Sequence, residues 1–300
     1  MKKSIAALTL ALLLAQSPAR GRTLRVLVTN DDGVAAPGIS ALVDELLLDP
    51  NLVVTVIAPA TNQSATSDDF TAGPLHVAAA TTASGTPATA VSGFPADAVL
   101  FGLLSGTLPQ VPDLVISGIN AGQNIGRFVA EDLSGTVGAA LTAARLGVPA
   151  IAVSLGVGSS DYDEPAHYVA NVVEDFRLKS RLARKMLSKT GLDQRLALNI
   201  NFPNCKAGSV RGVAVVPLAQ SQDLLGRVVT GYARTGPGTY QPTFSSTNAL
   251  ASDCTSALEE PTTDIEAMMN GFASVTPLNP TLTADSKSKD LGFLTRIPFE

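Results

Sequence analysis

Along this chain, short apolar runs alternate with stretches of helical period, and each apolar run ends in a polar cluster. Leu24 to Val28 reads as a strand buried on both faces, and it stops at Thr29-Asn30-Asp31-Asp32-Gly33. Pro37 suits the first position of a helix, and Ile39, Leu42, Val43, Leu46 and Leu47 follow with helical period. Asp49-Pro50-Asn51 closes that helix, and Leu52 to Ala58 is a second strand ending at Pro59. Strand, helix and strand make a right-handed βαβ unit. Residues 75–93 look like short strands and turns. Pro95 to Leu104 reads as a helix with Ala98, Phe101 and either Leu103 or Leu104 on its buried side. Leu114 to Ser117 is a third strand. Ser134-Gly135-Thr136 opens a helix whose apolar face is Val137, Ala140, Leu141 and Ala144, and Gly147-Val148-Pro149 stops it. Ala150 to Leu155 is a fourth strand, a long helix runs from about Pro165 to Leu187, and Leu196 to Phe202 is a fifth strand. Beyond about residue 220 the pattern weakens to a hairpin over Tyr232–Phe244, a loop over Ala251–Thr263, a short helix over Ile265–Met269 and a final strand over Gly271–Leu278. We read this last part as an appendage on an α/β body with a mostly parallel sheet.

In such a sheet ligands bind at the carboxyl ends of the strands. The first strand delivers Asp31 and Asp32 there. Neighbouring side chains on a strand point to opposite faces, so the two acids share a ligand only if the chain bends, and Gly33 permits the bend. A divalent cation would hold both acids ionised; the plainer alternative is a strand-end turn with solvated carboxylates. The second strand leads into Thr61-Asn62-Gln63-Ser64-Ala65-Thr66-Ser67-Asp68-Asp69, and the third into the glycine-spaced Gly118 to Gly126. Ser134-Gly135-Thr136 suits a phosphate at a helix N-terminus and equally suits ordinary capping.

Composition narrows the choice. Lys2, Lys3, the apolar Ile5–Leu14 and the small residues of Ser17-Pro18-Ala19 form a secretory leader, residues 1–19, too short to span a membrane. The mature protein, from residue 20 to 300, is therefore expected to be exported, periplasmic or secreted, with cleavage near Ala19 and no membrane span. Losing Lys2 and Lys3 leaves 19 bases against 26 acids, a formal charge of −7, which disfavours long nucleic acid as a partner. The basic cluster Arg177–Lys185 reads as a solvated helix face. Cys205 and Cys254 are the only cysteines, and in an oxidising compartment they suit one disulfide, although two free thiols fit the sequence as well. With only His76 and His167 present, and no G-x-S-x-G elbow, a Ser-His-Asp mechanism and His/Cys zinc chemistry lack their parts. A P-loop is absent, as is a G-x-G-x-x-G after the first strand. What remains is oxygen chemistry, which selects Mg²⁺, Mn²⁺ or Ca²⁺.

Taken together, Val28-Thr29-Asn30-Asp31-Asp32-Gly33 with Pro37-Gly38, Ala58-Pro59 with Asn62-Gln63-Ser64, Ser117 to Gly126, Ser134-Gly135-Thr136-Val137, Gly147 to Ser154 and Ser274-Val275-Thr276-Pro277-Leu278 resemble the SurE family of 5′/3′-nucleotidases. The resemblance implies a Rossmann-like three-layer α/β sandwich with a C-terminal extension over about 220–300 that serves oligomerisation, in a homodimer or dimer of dimers. It implies one divalent cation per subunit, Mg²⁺ or Mn²⁺, held by Asp31, Asp32, Ser64 and Asn120, with phosphate bound at Asn124, Ser134, Gly135 and Thr136. The implied activity is hydrolysis of nucleoside monophosphates and other small phosphate esters, with Asp31 and Asp32 catalytic. We expect Asp31 to orient or deprotonate a nucleophilic water; attack by an aspartate itself is the other route. Two features depart from the family pattern. Ser67-Asp68-Asp69 is acidic, and Leu133 stands where a tyrosine or histidine is common. They motivate an alternative, an exported metal- and nucleotide-binding module without turnover.

Overall fold

A computed structural model describes residues 23–178, 182, 186, 196–220, 229–244, 251–280 and 295. The leader and the far C-terminal residues lie outside that set. Among the described residues nine strands form the central sheet: β1 (Leu24–Thr29), β2 (Leu52–Pro59), β3 (Val77–Thr81), β4 (Pro87–Val91), β5 (Leu114–Ala121), β6 (Ala150–Leu155), β7 (Ala197–Phe202), β9 (Val213–Val215) and β13 (Ala273–Leu278). Their order across the sheet is β3-β4-β2-β1-β5-β6-β7-β13-β9. The pairs β1–β2, β1–β5, β5–β6 and β6–β7 are parallel, whereas β3–β4 and β7–β13 are antiparallel.

Helices cover both faces, giving three layers. On one face α1 (Pro37–Leu46) and α4 (Asp163–Arg177) bury Ile39, Leu42, Val43, Val169, Val172 and Phe176 against Val26, Val28, Ile116 and Ile151. On the other, α2 (Pro95–Leu104) and α3 (Gly135–Arg145) pack Ala98, Val99, Val137 and Ala140 against Leu27, Val115, Ala150, Ala152 and Ala197. The alternation of Val26 and Val28 with Leu27 sends neighbours to opposite layers, so β1 is apolar throughout. Small residues on the second face let α3 lie close to the sheet, and Gly135 to Ala144 are all buried. The sequence marked only one apolar face there. The other sides of α3 are covered by α2 and by the polar loop after β2, whose Ser67 carbonyl would lie 2.1 Å from a Cβ on Gly138.

Several expectations are corrected. Leu47 is the C-terminal cap of α1 and is 47 % exposed, while Leu104 faces solvent and Leu103 packs. The third strand runs on through the glycine-rich stretch to Ala121, with its register shifting between Ser117 and Asn120. Just before Ser134 the chain makes a π-helical turn, Phe128–Leu133. Arg177 is no solvated cation: it pairs with Glu174 at 2.7 Å and Asp49 at 3.4 Å. The rest of the 165–187 helix beyond Leu178, Leu182 and Met186 apart, lies outside the described residues.

In the C-terminal part, β10 (Val229–Gly236) and β11 (Thr239–Phe244) form the expected hairpin, and α5 (Asp264–Met269) the expected short helix. The loop over 251–263 contains β12 (Ser252–Cys254), paired in parallel with β8 (Cys205–Gly208). β13 is not peripheral. It lies inside the central sheet between β7 and β9, because its alternating Ala273, Val275 and Pro277 with Ser274 and Thr276 suit a doubly covered strand. Among the described residues no helix is long and apolar enough to cross a membrane.

Cys205 and Cys254 form a disulfide that closes a separation of 49 residues. Chain entropy alone gives such a loop about 4 kcal/mol, as an upper figure. The Cys205→Ser, Cys254→Ser double variant is expected to lose about 2–4 kcal/mol in urea unfolding. A loss below about 0.5 kcal/mol would show the bridge contributes little beyond the contacts of β8 and β12.

Candidate active site

The strand order reverses at β1, which pairs with β2 on one side and β5 on the other. This is where an open α/β sheet leaves a crevice. Asp31 and Asp32 sit at it. Gly33 adopts φ +107°, and a Cβ there would meet the Thr61 backbone at 3.2 Å, so the turn after the acids requires glycine. Asn30 braces the turn: its Nδ2 donates to the Gly33 carbonyl at 2.9 Å and its Oδ1 accepts from the Gly33 amide at 3.3 Å.

The bend sends the two acids to different partners. Asp31 is 3 % exposed, and its Oδ1 accepts a hydrogen bond from Thr136 Oγ1 at 2.6 Å. Asp32 Oδ2 accepts from the Ala121 amide at 2.9 Å, and its Oδ1 from Asn62 Nδ2 at 3.2 Å. Burial, with the neighbouring Asp32 charge adding to it, pushes the Asp31 carboxyl up to about 6, against the opposing hydrogen bond from Thr136. Burial also raises Asp32. Both carboxylates thus lie in surroundings that penalise their charge, as expected of a site completed by something positive.

Of the two roles open to the helix N-terminus, cap or anion site, the geometry displays the cap. Ser134 caps α3 through its Oγ, which accepts from the Val137 amide at 3.1 Å, and the Ser134 carbonyl accepts from Gly138. Gly135 lies against Asp31, where a Cβ would approach Asp31 Cβ at 2.9 Å. The Thr136 hydroxyl is engaged by Asp31, so it holds the acid and presents no free donor to a phosphate.

Asn120 stands at the end of β5, next to the residue that holds Asp32. Its Nδ2 donates to the Gly122 carbonyl at 2.6 Å, which leaves its Oδ1 as the atom to offer a cation, and its neighbour Ala121 holds Asp32. Ser64 is exposed, and its amide donates to Asn62 Oδ1 at 2.9 Å; the neighbouring Gln63 amide donates to the Asp31 carbonyl at 2.7 Å. Asn124 stands apart. Its Nδ2 donates to Ser154 Oγ at 2.8 Å, its amide to Asn201 Oδ1 at 2.6 Å, and its carbonyl accepts from Asn199 Nδ2 at 2.7 Å. It fastens the glycine-rich loop to β6 and β7.

Sequence reasoning missed the bracing parts of Asn30, Asn62 and Asp264. Asn at a turn was a readable signal for the first. Asp264, fully buried, accepts from the Gly126 amide at 2.6 Å and the Ala219 amide at 2.7 Å, which clamps the far end of the glycine-rich loop. The acidic 67–69 stretch is also less acidic in effect than it reads, since Arg145 pairs with Asp68.

These arrangements define a Rossmann-like α/β protein whose strand-order reversal gathers two acids beside a helix N-terminus. The chain belongs to the SurE family: the family profile described as Survival protein SurE matches residues 26–223. The 5′-nucleotidase SurE of Symbiobacterium thermophilum is 36% identical over 261 residues, spanning 86% of this chain and 93% of that protein. The protein of the same name from Geobacter sulfurreducens is 36% identical over 267 residues, spanning 87% and 89%. The crystal structure of the SurE protein from Aquifex aeolicus superimposes with a TM-score of 0.63 at 27% identity, covering 90% of this chain and 99% of that one.

Proposed function

We propose that this chain is a cation-dependent phosphomonoesterase, which hydrolyses nucleoside 5′- and 3′-monophosphates and other small phosphate esters to the alcohol and phosphate. The observation that carries the reading is the 2.6 Å bond from Thr136 to Asp31, which ties a buried carboxylate to the N-terminus of α3. Names of the relatives, 5′-nucleotidase SurE, support the substrate class.

The residues present fit a hard divalent cation. Asp31, Asp32, Asn120 and Ser64 offer only oxygens to it, and the two acids carry charge that burial penalises. When bound, Mg²⁺ or Mn²⁺ supplies Lewis-acid polarisation of the phosphoryl oxygens and a more acidic water. Asp31, with Thr136 on its Oδ1, orients the attacking water and takes its proton. The Gly135 amide and the field of α3 stabilise charge on the phosphoryl oxygens. Asn62 and the Ala121 amide fix Asp32. We assign export to the chain on the leader pattern of residues 1–19, and a homodimeric assembly on the family resemblance.

The binding module without turnover drew on the acidity of the 67–69 loop, and the Arg145–Asp68 pair offsets part of that acidity. Purified mature protein is expected to hydrolyse p-nitrophenyl phosphate and nucleoside monophosphates, to stop in EDTA, and to recover with Mn²⁺ or Mg²⁺. The Asp32→Ala variant should lose about 10³-fold or more in kcat/KM while keeping its circular dichroism spectrum. Turnover indifferent to the chelator would remove the cation from the mechanism, and turnover retained in Asp32→Ala would rule out Asp32 as an essential ligand.

A further inference from the structure

A groove of about 510 Å³ runs along the outer side of α1, lined by Pro37, Ser40, Asp44 and Glu45 from that helix and by Tyr162 and Asp163 at the head of α4. Its volume is that of an ordinary small-molecule site. One end lies close to the strand end that holds the acid pair. A Cβ on Gly38 would lie 3.0 Å from Tyr162 Cε1 and 1.9 Å from the Ile119 carbonyl, so the ring, the helix start and the end of β5 are in contact. Ala121, at the end of that same strand, donates to Asp32. Burial, and after it the Asp32 charge, raises the half-buried Tyr162 phenol, in keeping with that nearness.

The groove has a chemical bias. Asp44, Glu45 and Asp163 line it, and neither Lys nor Arg stands among the lining residues. Asp44 accepts one hydrogen bond, from Ser84 Oγ at 2.7 Å, and Glu45 one from His167 Nδ1 at 2.9 Å, so each carboxylate keeps acceptor capacity. A flat group stacks on an aromatic ring, N–H edges satisfy carboxylates, and an anion is repelled by them.

We propose that this groove receives the alcohol half of the ester, with Tyr162 against the face of a nucleobase and the acidic residues beyond it selecting bases rich in N–H donors and rejecting leaving groups that carry a second negative charge. The proposal rests on the phosphomonoesterase reading and names the part of the substrate that reading leaves open.

The test compares kcat/KM for guanosine 5′-monophosphate, guanosine 3′,5′-bisphosphate and methyl phosphate. The unaltered enzyme is expected to prefer the monophosphate to the bisphosphate by about tenfold or more. Tyr162→Ala should lower the ratio of guanosine monophosphate to methyl phosphate by about tenfold, and Tyr162→Phe, which keeps the ring, by less than about twofold. Asp44→Asn combined with Asp163→Asn should bring the bisphosphate to within about threefold of the monophosphate. Ratios unmoved in the Tyr162→Ala and double variants, or three esters turned over alike by the unaltered enzyme, overturn the subsite while leaving the hydrolase intact. Failure to hydrolyse any of the three overturns the phosphomonoesterase reading and the subsite with it.

Discussion

Replacing Asp31 with Asn is expected to abolish ester hydrolysis and, in the same protein freed of metal, to raise the melting temperature. The two effects share one cause. Burial holds the Asp31 carboxyl at about 6 in the folded chain against 3.8 for the ordinary group. A folded state that binds the proton more tightly than the unfolded one is favoured at low pH. The stability contributed by this proton is complete below the unfolded value and is lost as pH rises towards about 6; above that the group is a constant penalty. At neutral pH that penalty is of order 1–3 kcal/mol, since one pKa unit corresponds to about 1.4 kcal/mol. Asn removes the charge, and its amide oxygen still accepts from Thr136. Calorimetry of the chelated proteins at pH 7.5 and at pH 4 checks the sign: the gain belongs at the higher pH and shrinks at the lower (both pH values are about one to two units from the midpoint). Turnover should fall about 10³-fold or more. A chelated variant less stable than its parent at the higher pH would show that Asp31 contributes to the fold as a partner of Thr136 and not as a strained acid.

Gly38→Ala is expected to be the most damaging exchange of a hydrogen for a methyl group near the site. Gly38 lies in the first turn of α1, and an added Cβ would come within 1.9 Å of the Ile119 carbonyl and 2.9 Å of its carbon. Those are backbone atoms, which cannot swing aside, so α1 or β5 must move. We expect about 3 kcal/mol or more of lost stability by urea unfolding. Movement of β5 would carry Asn120 and Ala121 with it, so kcat/KM should fall even where folding is preserved at low temperature. Gly73→Ala is the control, because a Cβ there meets nothing within 4 Å. It should change stability by less than about 0.5 kcal/mol. Equal effects of the two substitutions would mean that α1 does not seat on β5 as described.

The body strands and helices were readable in the sequence because burial on both faces leaves an unbroken apolar run, and one buried face leaves a helical period. β1, β6 and β7 fall within a residue of their expected bounds, as does α2. The continuation of β5 through Gly118 and Asn120 was hidden because glycine and asparagine carry loop preferences. Pairing with β6 across a register shift overrides them. β12 was hidden for a similar reason: Ser252 to Cys254 has no pattern of its own and is a strand through its pairing with β8, to which the disulfide also ties it. The exposure of Leu47 and the pairing of Arg177 depend on which elements lie across from them, and a period along one helix carries no such information.

The sequence by itself determined the layered α/β order, the acid pair with its glycine, the helix start at Ser134, and the gathering of strand ends on one rim. Each follows from local propensity and the covalent alternation of side chains. Tertiary structure alone decided which oxygens meet. Thr136, 105 residues from Asp31 along the chain, reaches it; Asn124 turns to Ser154 and the amides of β7; Asn62 and the Ala121 amide share Asp32. It also aligned Thr29, Ser117, Asn199 and Thr276 across neighbouring strands, each with a buried oxygen that finds no partner among the described residues. Such meetings depend on strand order and register, which are set by the packing of the whole sheet, and no short window of sequence carries that information.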